Sequence, residues 1–107
     1  MKMVFAILNS DDASTVIQNL MKEGYSVTKL SSTGGFLRSG NVTILVGIDE
    51  EKLQAVIDII SKYSKSRKQL IPTPSEAGLN FYPSMPIEVT VGGAIIFVLP
   101  VDRFEKV

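Results

Sequence analysis

The sequence predicts an α+β fold with the order β-α-β-β-α-β-β. This is the split βαβ, or ferredoxin-like, pattern βαββαβ with one extra C-terminal strand. Three observations carry it. Residues 13–21 and 53–60 repeat apolar side chains at spacings of three and four. Short apolar or alternating runs flank both segments. Glycine and proline clusters separate the runs.

The first strand is the apolar run 3–8, whose Val4, Phe5 and Ile7 suit a buried strand. Ser10, Asp11 and Asp12 follow as candidate N-caps, with negative charge at the favourable end of a helix. Ala13, Val16, Ile17, Leu20 and Met21 form one helical face. Lys22 and Gly24 close that helix. The second strand, 26–33, is polar: Val27 and Leu30 are its only aliphatic residues. In the third, 42–47, Val42, Ile44 and Val46 share one face, and Thr43, Leu45 and Gly47 the other. Asp49 starts a second helix, with Leu53, Val56, Ile57 and Ile60 as its stripe.

Residues 64–84 show no periodicity and contain a basic, serine-bearing stretch at 64–68. They read as a long loop, of a length often tied to function. Leu79, Phe81 and Tyr82 could tie its second half to a surface. Residues 87–91 alternate, Gly92-Gly93 reads as a two-residue hairpin turn, and 94–99 is wholly apolar, hence a strand buried on both faces. Phe104 is one possible anchor in a polar tail. Two helices cover one face of such a sheet. Strands apolar on both faces then require a second cover, for which another copy of the chain is the simplest candidate.

The composition narrows function. With 107 residues and 45% apolar content the chain is expected to be a single domain, 1–107. It has no cysteine and no histidine. Thiolate metal sites and Ser-His-Asp chemistry are therefore excluded, and no metal or cofactor is expected. Eleven basic residues balance eleven acidic ones, which argues against a nucleic-acid partner. The opening apolar run stops at Asn9, too short for a signal-peptide core. No run approaches the roughly 20 apolar residues of a membrane span. A cytoplasmic protein is expected.

The most informative stretch is Thr33-Gly34-Gly35-Phe36-Leu37-Arg38-Ser39-Gly40-Asn41. Adjacent glycines can turn several N–H groups toward one anion. Phe36 offers a ring, Arg38 a fixed positive charge, and Asn41 an amide that both donates and accepts. The same residues also suit a turn packed on its own domain.

This stretch, the element order and the segment Val91-Gly92-Gly93-Ala94-Ile95-Ile96-Phe97-Val98-Leu99-Pro100 together resemble the PII-like cyclic di-AMP receptor proteins, part of the nitrogen-regulatory PII-like superfamily. The resemblance runs essentially from Met1 to Phe104. It implies a signal-transduction receptor without enzymatic activity, a homotrimer with one cyclic di-AMP in each cleft between subunits. It places ligand contacts on Thr28, Gly35, Phe36, Leu37, Asn41, Gly47 and Phe97, with Arg38 a nearby cation. Backbone at 35–37 and the Thr28 hydroxyl would hold adenine or phosphate, Asn41 a base edge, and Phe36 and Leu37 a purine face. Gly47 would admit the ligand, and Phe97 would line the floor.

One position departs from the pattern. Some such receptors carry a basic residue two positions before the threonine, where this chain has Ser26. The same trimer binding ATP or ADP is therefore an alternative. A small oligomeric enzyme on this scaffold is another, with Asp49 or Glu88 as base. A trimer whose loops only pack is a further one. The downstream protein partner is not readable.

Overall fold

The computed structural model describes residues 1–30, 40–71 and 87–107. The chain runs β1 (Lys2–Asn9), α1 (Ser10–Lys22), β2 (Thr28–Leu30), β3 (Asn41–Ile48), α2 (Glu50–Tyr63), β4 (Arg67–Ile71), β5 (Ile87–Val91) and β6 (Ala94–Pro100). Four strands form a sheet in the order β2-β3-β1-β6, and β4 and β5 form a separate two-stranded ribbon. All these pairings are antiparallel. The α+β ferredoxin-like fold is the one the sequence predicts.

The helices form where the sequence places them, with one change of cap. Asn9 caps α1: its Oδ1 accepts from the Asp11 N–H at 2.9 Å. Asp11 and Asp12 occupy the first turn instead. At the other end Gly24 takes φ +88°. Its N–H donates to Met21 O, and the Tyr25 N–H donates to Leu20 O. Those two bonds satisfy carbonyls that a helix end leaves orphaned. Asp49 precedes α2 as expected, though its side chain makes no capping bond.

Both helices lie on one face of the sheet. Val4, Ala6 and Leu8 of β1 and Ile44 and Val46 of β3 are buried against Ala13, Val16 and Leu20 of α1 and Val56 and Ile60 of α2. Alternate residues of the same strands point the other way, toward no helix. Register puts Met3, Phe5 and Ile7 opposite Leu99, Phe97 and Ile95. It also puts Phe5 opposite Leu45. This second face is apolar and largely open. Ile95 and Phe97 are 56% and 52% exposed. The expectation that 94–99 is buried on both faces is thus corrected within one chain. Among the described residues β6 is an edge strand paired with β1 alone, and its outward side chains face no second layer.

Two other expectations change. Gly92-Gly93 does not join two strands paired with each other: β5 pairs with β4, whereas β6 pairs with β1. The two glycines, at φ +78° and +85°, carry the chain from the ribbon into the sheet. Within the segment expected as a long loop, residues 67–71 form β4, opposite β5. An alternating partner strand twenty residues away supplied the pairing that local periodicity did not reveal. Leu79, Phe81 and Tyr82 lie outside the described residues.

An ion pair ties the ribbon to α1. Arg67 donates from Nη2 to Asp12 Oδ1 at 3.0 Å and from Nη1 to Asp12 Oδ2 at 3.2 Å. Asp12 is nearly buried. The hydrogen bond to Asp12, and then its charge, hold the Arg67 guanidinium further in its charged form than usual. Gly92 sits against this pair. A Cβ there would meet Arg67 Nη1 at 2.6 Å and Lys65 O at 2.9 Å. Gly92→Ala therefore combines an unfavourable positive φ with a clash at backbone. Urea unfolding is expected to show a loss of about 1–3 kcal/mol. An unchanged midpoint would mean that the junction is not close-packed.

Candidate functional site

Four of the eight residues singled out from the sequence fall within the described structure: Thr28, Asn41, Gly47 and Phe97. Gly35, Phe36, Leu37 and Arg38 lie outside the described residues. Register puts the four described ones on the face that the helices leave open. Thr28 stands opposite Leu45 on β3. Gly47 stands opposite Met3, and Asn41 opposite Asn9. Phe97 stands opposite Phe5, ring centroids 6.3 Å apart with planes at 70°, an edge-to-face pair.

The four do not gather at one point. Thr28 and Gly47 line a recess of about 340 Å³ together with Met1, Met3, Ser26, Leu45, Val101 and Phe104. Asn41 lines another, of about 330 Å³, beside Asn9, Gly92, Gly93 and Ile95. Gly47 lies six residues along β3 from Asn41, roughly 20 Å at the strand rise. Phe97 lies between the two ends, on the far side of β1.

Gly47 is informative because its own chain does not require it. A Cβ built there meets nothing within 4 Å, and its φ is not in the left-handed region. Glycine inside a strand is unfavourable by roughly 0.5–1 kcal/mol relative to alanine. The missing side chain leaves open space over the recess, and packing among the described residues does not explain it.

The chemistry of the Thr28 recess is hydroxyl and apolar. Ser26 and Thr28 bring two hydroxyls, and no lining side chain is charged. Sequence reasoning noted Ser26 only as a departure and Phe104 only as an anchor. It missed Met1 and Val101, whose position depends on how β1 and the chain after β6 run side by side. Among the described residues, no group of three or more acidic side chains could hold a metal ion. No helix is long and apolar enough to cross a membrane. Asp49 and Glu88, the bases an enzyme would need, line neither recess. Glu88 instead pairs with Lys68 on the ribbon at 3.2 Å.

A family model described as cyclic-di-AMP receptor matches residues 1–107, the whole chain. The chain is also similar to a crystal structure of a functionally unknown protein from Pediococcus pentosaceus ATCC 25745. The two share 42% identity over 99% of this chain and 96% of that one, with a TM-score of 0.76.

Gly47→Ala separates the two explanations of that glycine. The variant is expected to melt at the same temperature as the parent or a few degrees higher, because alanine loses less backbone entropy on folding. A clear drop in melting temperature would show that the glycine serves the fold.

Proposed function

This chain belongs to the cyclic-di-AMP receptor family, and from that premise we propose that it binds cyclic di-AMP in clefts between neighbouring copies of a homotrimer and performs no chemistry of its own. One observation carries the reading. On the helix-free face Ile95, Phe97 and Leu99 are exposed beside the half-buried Met3, Phe5, Ile7 and Leu45, no second layer covers them among the described residues, and the four described candidate residues share that face. Each large apolar side chain taken from water there is worth about 1.5–3 kcal/mol. A second copy of the same surface supplies the cover.

The separation of Thr28 and Gly47 from Asn41 supports a site assembled from more than one copy. A neighbour can bring its own end of the sheet to the recess. The ligand carries two adenines and two phosphates, so it needs flat surfaces, hydrogen-bond partners and positive charge. The recess offers hydroxyls and an uncharged wall. Positive charge is assigned to Arg38, and backbone N–H groups and purine-facing side chains to Gly35, Phe36 and Leu37. Phe97, edge-on to Phe5, lines the floor. Ligand binding then shifts the population of surfaces that the trimer presents to a downstream protein. We take the receptor to act in the cytoplasm.

A second reading keeps the trimer and gives it ATP or ADP. The uncharged Ser26 in the recess favours it, since a base there would strengthen contact with a bridging phosphate. Competition between ATP and cyclic di-AMP separates the two.

Calorimetry is expected to show one cyclic di-AMP bound per chain. Sedimentation is expected to give three times the mass of one chain. Thr28→Val and Asn41→Ala each remove one hydrogen-bonding group and should weaken binding about 3- to 10-fold. Phe97→Asp sets a charge in the apolar face and should yield smaller species. No heat with ligand well above micromolar, or a monomer at all concentrations, defeats the proposal.

A further inference from the structure

We propose that the C-terminal segment 101–106 is a wall of the ligand site, and that the Phe104 ring is a stacking surface for one adenine of the cyclic dinucleotide. The inference rests on the reading above, and it adds a residue outside the expected contacts.

The path of the chain puts the ring there. Pro100 is the last residue of β6. The next residue still follows β1: the Val101 N–H donates to Met1 O at 3.1 Å. This holds the tail alongside the start of β1. Phe104 thereby joins Thr28 and Gly47 in lining one recess.

The ring's exposure argues against a packing role. Phe104 is 64% exposed. A side chain that anchors a tail buries most of its surface, since burial is what holds it down. Phe104 leaves most of its surface to water, next to a glycine with open space beyond it. The neighbouring charges are also engaged with each other: Arg103 Nε donates to Glu105 Oε1 at 3.1 Å. Of segment 101–106, Val101 and Phe104 line the recess, and its four charged residues do not.

Those features select a base over a phosphate. Among the described residues that line the recess none carries a charged side chain, so an anionic group entering it meets no arginine or lysine of theirs. Adenine suits it, with a flat face for the ring and an edge that both donates and accepts for the Ser26 and Thr28 hydroxyls.

The chain contains no tryptophan, so F104W installs a single emission reporter at this position. Titration with cyclic di-AMP is expected to quench that emission, with calorimetric affinity within about 3-fold of the parent, since indole also stacks. F104L keeps an apolar side chain but loses the π face. F104L and F104A should bind roughly 5- to 100-fold more weakly, at unchanged melting temperature without ligand. F104L binding as tightly as the parent overturns the proposal. So does unquenched F104W emission when calorimetry shows the site full. A parent protein that gives no heat at all defeats the cyclic-di-AMP reading itself, and this inference with it.

Discussion

The structure depends on an asymmetry of burial. β1 and β6 carry apolar side chains on both faces, and the two helices cover one face of the sheet. Val4, Ala6, Leu8, Ile44 and Val46 are sealed beneath α1 and α2. Phe5, Ile95, Phe97 and Leu99 sit at register positions just as apolar, with no layer above them among the described residues. Apolar surface is driven from water in proportion to its area, which is the physical ground for the proposed contact between copies. The four described candidate residues lie on the same face.

The ribbon is a second unit, joined to the first by an ion pair. β4 and β5 pair only with each other among the described residues. A lone two-stranded ribbon is marginal in water. Asp12 and Arg67 offset that weakness by linking α1 to the first residue of β4 through two parallel hydrogen bonds. Gly92 closes the joint where β5 gives way to β6, and it is glycine because both its φ and its neighbours exclude a side chain. The same turn borders the Asn41 recess. Ribbon geometry and one end of the candidate site are therefore set by the same few atoms.

The two recesses sit at opposite ends of the central strands, and only one holds an unpaired aromatic wall. Its hydroxyls, open glycine and exposed ring make a neutral surface of modest polarity. Such a surface discriminates by shape and hydrogen bonding rather than by charge.

Local sequence determined what depends on near neighbours. The helical stripes of α1 and α2, the glycine close of α1, and the alternation of β1 and β3 follow from periods of 3.6 and 2. So does the conclusion that the sheet has more apolar surface than two helices can cover. The loop chemistry at 33–41 and the residues around Gly92-Gly93 sufficed to indicate the receptor family. Tertiary structure decided what depends on partners distant in the chain. Residues 67–71 look irregular alone and become a strand because β5 lies opposite them. Gly92-Gly93 looks like a hairpin turn and instead changes sheets, because β1 outcompetes β5 for β6. Asp12 looks like a helix cap and instead holds Arg67, and Phe104 reaches Thr28 only because the tail runs beside β1. Periodicity reports which way a side chain points, whereas only the folded chain decides what it finds there.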